Sequence, residues 1–184
     1  MKRNNQVWIV VVGIVVFCLV RTSVLWAAPV GIVTRDVAYH SGHKDVKGFL
    51  ARPKDHKKHP AVILIHEWWG LNQNIKENAR RFARLGYVSL AVDLYSGRVA
   101  SKRSEARQLA GGVRKDTAAA FENLRQAVNY LKGRSSSVMA ERIASVGWCF
   151  GGGWSYQMAK NNLGVKASVI YYGRFNPKDD LSKM

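Results

Sequence analysis

Cys149 lies at the centre of the pentapeptide GWCFG, residues 147–151. Residues 142–147 predict a buried strand, and residues 151–161 predict a helix. A nucleophile flanked by small residues at a strand-to-helix turn is the pattern of a nucleophile elbow, here with cysteine instead of serine. Glycine is needed at both ends because the chain approaches itself closely there. The alternative is a glycine-rich packing turn around an inert, buried cysteine.

An elbow at this position would raise the Cys149 sulfur above the sheet and over the first turn of the following helix. The positive end of a helix favours a thiolate. The backbone N–H of Phe150 would then point at an oxyanion that develops on an attacked carbonyl. The expected chemistry is covalent catalysis by a thiol.

A second candidate segment, HEWWG at residues 66–70, follows an apolar strand. A carboxylate such as Glu67 at the mouth of a buried strand costs free energy unless it has a partner. Opposite a thiol, it could accept a proton or hold the resting pair neutral. The N–H of Trp68 would supply a second oxyanion donor, and Trp68 and Trp69 would wall an apolar pocket. Taken alone, this segment is better explained as a surface glutamate between packing tryptophans.

Hydrophobic periodicity predicts a hairpin followed by alternating strands and helices. Asn74 and Glu77 have capping-box spacing, and Asp116 is expected to cap a longer helix. The expected strands are 32–40, 46–52, 61–65, 87–92, 142–147 and 166–172, and the expected helices are 74–86, 101–109, 116–133 and 151–161. This order predicts an α/β fold with a mostly parallel sheet and helices on both faces.

Parallel sheets place their chemistry at the carboxyl ends of the strands. Both candidate segments fall there, together with a third, residues 93–97. We expect Asp93 to shape its own loop, since carboxylates at strand ends usually bond local backbone.

Four segments together resemble the dienelactone hydrolase family, and the resemblance covers about residues 35–184. They are VILIHEWWGLNQNIKENARRFARLGY (62–87), AVDLYSG (91–97), GWCFGGG (147–153) and IYYG (170–173). The resemblance implies an α/β-hydrolase fold that opens cyclic enol lactones or related esters, which are small-molecule substrates. We expect neither a cofactor nor a metal.

The resemblance also implies roles for individual residues. Cys149 would be the nucleophile and Glu67 the carboxylate beside the resting thiol, with the N–H groups of Trp68 and Phe150 as the oxyanion hole. A family arginine that holds the substrate carboxylate would correspond to Arg98 or, second, to Arg103. Trp69 and Tyr172 are further candidates for substrate contact.

The chain departs from this pattern after Cys149. In this fold the nucleophile, acid and histidine follow one another along the chain. All five histidines precede Cys149, and Asp179 and Asp180 come before the strand that the acid should follow. We therefore expect residues 29–184 to be an α/β-hydrolase domain truncated in its C-terminal part. A degenerate relative without catalysis, or Glu67 acting as the only base, are the alternatives.

The N-terminal residues 1–28 predict a signal peptide, and hence an exported protein. Lys2 and Arg3 precede the apolar segment 7–20, and Ala27 and Ala28 supply small residues for cleavage. Trp26 is bulky for such a site, so an uncleaved signal anchor is the alternative, and only then would the membrane be a partner. Cys18 belongs to this apolar segment and is not expected to pair with Cys149.

A net charge of +17 favours anionic partners. Removal of residues 1–28 would leave +14. A second functional hypothesis is therefore a non-catalytic hydrolase-like domain whose basic surface binds a polyanion. No motif for specific nucleic-acid recognition is present, and the sequence does not define an oligomeric state.

Overall fold

The computed structural model describes residues 31–42, 44–180 and 182. The predicted signal segment, residues 1–28, lies outside them. The strands are β1 (Ile32–Ser41), β2 (Lys44–Pro53), β3 (His59–Ile65), β4 (Val88–Val92), β5 (Val138–Trp148) and β6 (Ala167–Tyr171). The helices are α1 (Gln73–Arg84), α2 (Arg103–Lys115), α3 (Thr117–Lys132) and α4 (Phe150–Lys160).

The strands form one sheet in the order β1-β2-β4-β3-β5-β6. β2 is antiparallel to both β1 and β4, whereas β4, β3, β5 and β6 run parallel to one another. The expected hairpin and mostly parallel sheet are confirmed. Central β3 is paired on both sides and covered on both faces, so its residues 61–65 are buried.

Helices cover both faces of the sheet, and alternate residues of β3 face the two cores. Val62 and Leu64 pack with α1, whose Ile75, Ala79 and Ala83 recur at four-residue intervals. Residues 61, 63 and 65 face the larger core, to which α2, α3 and α4 contribute. This layering is the α/β-hydrolase-type arrangement that the sequence predicts.

Asn72, and not Asn74, caps α1. The Asn72 side chain accepts a hydrogen bond from the backbone N–H of Ile75 at 3.3 Å, whereas Asn74 lies inside the helix and is exposed. The capping-box expectation for Asn74 and Glu77 is therefore wrong. Glu77 instead pairs with Arg84 at 2.9 Å, which lowers the pKa of its carboxyl.

The helix expected over residues 101–109 extends to Lys115 in α2. Gly111 and Gly112 disfavour a helix by about 1 kcal/mol each relative to alanine. The helix continues because Ala106, Leu109 and Ala110 are buried against the core. The Asp116 carboxylate then caps α3 by accepting from the N–H of Ala119 at 3.1 Å, as expected.

Strand β6 forms one edge of the sheet in the part of the chain that the structure describes. Val169, Ile170 and Tyr171 are all exposed, as is Tyr172 immediately after the strand. Across the described residues, no helix has the length and apolar character needed to span a bilayer.

Candidate active site

The strand-to-helix turn between β5 and α4 has the tight backbone geometry that its glycines predict. A methyl group on Gly147 would overlap the carbonyl of Gly151, and a methyl group on Gly151 would overlap the carbonyls of Ile65 and His66. Strand β5, helix α4 and the end of β3 are thus in direct backbone contact. Only glycine permits this approach.

Cys149 itself has φ +54° and ψ −113°, a sparsely populated conformation for a residue with a side chain. Its backbone N–H donates to the carbonyl of Tyr171 on β6 at 3.0 Å, and its carbonyl accepts from the N–H of Gly153 at 3.2 Å. Cys149 is also the N-cap residue of α4. Its thiol is free and partly exposed, so the structure does not bury residue 149 in the core.

The thiol lies on a cavity of about 670 Å³. Trp68, Phe121 and Trp154 supply much of its apolar wall, and Tyr172 stands beside the cysteine. Among the described residues, neither the backbone N–H of Trp68 nor that of Phe150 donates a hydrogen bond to another protein group. The structure therefore brings Cys149, Trp68, Phe150 and Tyr172 to one site, as the sequence predicts.

The Glu67 carboxylate accepts a hydrogen bond from the Tyr172 hydroxyl at 2.8 Å. This hydrogen bond, together with desolvation and the charge of Glu67, raises the pKa of Tyr172 to about 12. Tyr172 reaches this position with φ +40°, just before Gly173, which packs against Gly152 of α4. Tyr172 thus hydrogen-bonds Glu67 and lines the same cavity as Cys149.

The arginines selected from the sequence do not line this cavity. Arg98 faces a separate cavity of about 470 Å³ and lies 3.8 Å from the Glu105 carboxylate. Arg103 begins α2 with an exposed side chain. Neither arginine is therefore among the residues that line the Cys149 cavity in this structure.

Three other arginines line the Cys149 cavity: Arg107, Arg114 and Arg174. The guanidinium of Arg114 lies 5.9 Å from the centre of the Phe150 ring. Arg107 and Arg114 are two helical turns apart and share a face of α2. The sequence did not predict this pair, because Arg114 lies beyond the expected end of the helix at residue 109.

Trp69 also differs from its expected place. It does not line the cavity but packs edge-on against Trp68, with ring centres 5.2 Å apart, and its carbonyl accepts from the N–H of Ala100 at 2.9 Å. Its role in this structure is to hold the loop after β4 against the loop after β3.

Asp93 shapes its own loop, as expected. One carboxylate oxygen accepts from the N–H of Tyr95 at 2.7 Å and the other from the N–H of Gly97. Asn123 of α3 donates to the Asp93 carbonyl at 2.9 Å. Tyr95 in turn donates its hydroxyl hydrogen to the carbonyl of Trp68 at 3.2 Å, so this loop supports the one that carries Glu67 and Trp68.

No histidine of the described residues lines the Cys149 cavity. Asp179 is held by the Tyr156 hydroxyl and by Lys160, at 2.5 and 2.8 Å. Residues 31–42, 44–180 and 182 contain no cluster of His, Cys, Asp and Glu suited to a metal. Among the described residues, Tyr172 lines the cavity beside Cys149, and Glu67 reaches the site through its hydrogen bond to Tyr172.

The sheet order, the helices on both faces and the strained cysteine at the β5–α4 turn define an α/β-hydrolase-type domain. The family model described as "Dienelactone hydrolase family" matches residues 46–184. The chain belongs to the dienelactone hydrolase family.

Individual relatives agree with this placement. A Bradyrhizobium protein named "Probable 2-oxo-3-(5-oxofuran-2-ylidene)propanoate lactonase" is 31% identical over 126 residues, covering 68% of this chain and 50% of its own. The structure of m3DLH superposes with a TM-score of 0.73 at 32% identity, covering 79% of this chain and 61% of that chain. P91, a dienelactone hydrolase-like promiscuous phosphotriesterase from metagenomic libraries, gives a TM-score of 0.72 at 26% identity, with 80% and 62% covered.

The chain spans between half and two thirds of the length of the curated relatives that it matches.

Proposed function

We propose that this protein hydrolyses ester or lactone bonds through a covalent thioester on Cys149. The observation that carries the proposal is the placement of the Cys149 thiol in a strained turn on the wall of a 670 Å³ cavity, beside two backbone amides without protein partners. Family membership supports the same reaction class.

In the first step, the Cys149 sulfur attacks the substrate carbonyl carbon, and a C–S bond forms as the carbonyl electron pair moves to oxygen. The N–H groups of Trp68 and Phe150 donate to this oxyanion. Collapse of the intermediate breaks the C–O bond and releases the alcohol or enol, which takes up the proton lost by the thiol. Water then cleaves the thioester, giving the carboxylic acid and restoring the thiol.

Glu67 and Tyr172 are the groups that can handle the proton in this site. The Glu67 carboxylate accepts a hydrogen bond from Tyr172, and the Tyr172 side chain lines the cavity with Cys149. We infer that Glu67 accepts the thiol proton, either directly or through Tyr172.

Arg107, Arg114 and Arg174 favour an anionic substrate. All three line the cavity together with apolar side chains. A carboxylate on the substrate would pair with a guanidinium, a geometry for which arginine is well suited. The proposed substrate class is therefore an ester or lactone that carries a carboxylate. The name of the Bradyrhizobium relative, "Probable 2-oxo-3-(5-oxofuran-2-ylidene)propanoate lactonase", supports this class.

The reaction is tested by single-turnover acylation with p-nitrophenyl acetate, which reports the first step without requiring turnover. We expect one equivalent of p-nitrophenolate per chain, lost in Cys149→Ala and retained in the matched control Cys18→Ala. Equal release from the wild type and Cys149→Ala would refute a nucleophilic role for Cys149.

Substrate charge is tested with two aryl esters of equal length, one ending in a carboxylate and one in a neutral amide. We expect Arg114→Gln to reduce the preference for the carboxylate ester by about tenfold, as one charged hydrogen bond would. Arg98→Gln, on the separate cavity, is the control and should leave the preference unchanged. An unchanged preference in Arg114→Gln would contradict the proposed subsite.

The alternative of a non-catalytic polyanion-binding domain gains no support from the comparisons, since the named relatives are enzymes.

A further inference from the structure

His66 is completely buried although it lies next to the candidate site. Its Nδ1 is 2.6 Å from the carbonyl oxygen of Glu67, and its Nε2 is 3.2 Å from the backbone nitrogen of Leu94. A carbonyl can only accept and an N–H can only donate, so Nδ1 carries the hydrogen and Nε2 accepts. The imidazole is therefore neutral, and it joins the loop after β3 to the loop after β4.

The same ring also contacts the elbow. It stacks on Phe150, with ring centres 5.7 Å apart and an interplanar angle of 14°, and it meets Tyr95 edge-on at 4.6 Å. The backbone of residues 65–66 touches Gly151 directly. His66 is thus in contact with all three loops at the carboxyl ends of β3, β4 and β5.

We propose that His66 is a positioning residue that holds the backbone amides of Trp68 and Phe150 in the spacing of an oxyanion hole. Its Nδ1–H fixes the carbonyl of Glu67, which belongs to the same peptide unit as the Trp68 N–H. Its ring fixes Phe150, whose own N–H is the second donor. The proposal rests on the proposed function of Cys149, but it concerns amide geometry and not the thiol.

Two reactions of the Cys149 sulfur distinguish the geometry of the backbone amides from the reactivity of the thiol. Acylation by p-nitrophenyl acetate passes through an oxyanion, whereas alkylation by iodoacetamide displaces iodide and forms none. The readout is the ratio of the two Cys149 rate constants in a Cys18→Ala background. Removal of one oxyanion donor costs about 10²–10³-fold in other enzymes.

We expect His66→Phe, which keeps a ring but loses both hydrogen bonds, to lower the acylation rate by about 10–100-fold while alkylation stays unchanged. His66→Asn, which keeps a donor near the Nδ1 position, should recover part of the loss. Where His66→Phe does not fold, His66→Asn and His66→Gln are compared directly with the wild type, and either should still lower the ratio.

Ser89→Ala is the matched control. Ser89 is also completely buried and its hydroxyl lies within hydrogen-bond distance of two backbone carbonyls, those of Ala51 and Ala79, away from the site. It should lower stability without altering the ratio. An unchanged ratio in the His66 variants, or an equal fall in Ser89→Ala, would overturn the positioning role alone. Absence of Cys149-dependent acylation in the wild type would overturn the proposed function as well.

Discussion

At residue 149, backbone contacts set the conformation of the cysteine. The carbonyl of Gly151 occupies the space that a Gly147 side chain would need, and the carbonyls of Ile65 and His66 do the same at Gly151. The close packing of three backbone segments thus fixes the elbow. Within the described part of the chain, the backbone contacts that hold it do not involve the Cys149 thiol.

Gly147→Ala should therefore destabilise the fold by about 3 kcal/mol or more, because the added methyl group meets backbone that cannot move without opening the sheet. Gly111→Ala is the control, since a methyl group there meets nothing within 4 Å. That change should stabilise α2 by about 0.5–1 kcal/mol. Urea unfolding of both variants measures the difference, and similar midpoints would contradict the packing argument.

His66 gives stability a specific pH dependence. Burial lowers the pKa of the imidazole below its usual value, although the Glu67 carbonyl and the charges of Asp93 and Glu67 oppose this. The unfolded chain binds a proton near pH 6.5, whereas the folded chain binds it only at lower pH. The unfolded state thus holds more protons below about pH 6.5, and stability falls as the pH falls.

We expect the urea midpoint of the wild type to fall between about pH 7 and pH 5, with a slope of up to about 1.4 kcal/mol per pH unit from this residue. His66→Gln should show a flatter dependence over the same range. Carboxyls with lowered pKa, such as those of Glu77 and Glu122, titrate below this window. Parallel curves for the two proteins would show that His66 does not remain neutral.

At the level of elements, the cap of α1 shows that capping-box spacing in the sequence does not by itself identify the residue that caps the helix. The Asn72 side chain accepts from Ile75, whereas Asn74 is exposed within the helix. Asn72→Ala should cost about 1 kcal/mol, and Asn74→Ala should cost nothing or stabilise slightly, because alanine is the better helix former. Thermal unfolding of the two variants measures this, and a larger loss in Asn74→Ala would contradict the assigned cap.

The sequence predicted those elements whose signals depend on burial or on a single cap. Continuous apolar segments marked β3 and β4, and Asp116 marked the start of α3 because its side chain bonds only local backbone. The end of α2 could not be predicted, since Gly111 and Gly112 disfavour helix locally and only burial against the rest of the fold overrides them.

The same distinction applies to the site. Cys149, Trp68 and Phe150 were predictable because a short backbone motif fixes them. Arg114 was not, since its place depends on the full length of α2 and on how that helix packs. Arg98 was expected at the Cys149 cavity but lines a separate one, because proximity in sequence to Asp93 does not determine where a loop side chain lies.

For the whole molecule, the exposed strand β6 predicts self-association of the 184-residue chain. Among the described strands it pairs only with β5, and it carries exposed Val169, Ile170 and Tyr171 without charged side chains. Unprotected apolar edges pair with other strands. We expect concentration-dependent association in sedimentation velocity, reduced by Val169→Lys.

Leu85→Lys is the control for this prediction, because Leu85 is 72% exposed but lies at the end of α1, away from any strand edge. Equal suppression by both substitutions would indicate a general effect of charge. A chain that stays monomeric at high concentration would show that the β6 edge is protected.

The elbow has an evolutionary consequence. Because neighbouring glycines hold the backbone at residue 149, a different side chain at that position would keep the same placement over α4. A cysteine codon becomes a serine codon by one nucleotide substitution. The chemistry of this position is therefore open to exchange between sulfur and oxygen in a single mutational step, whereas any side chain at Gly147 or Gly151 would overlap neighbouring backbone.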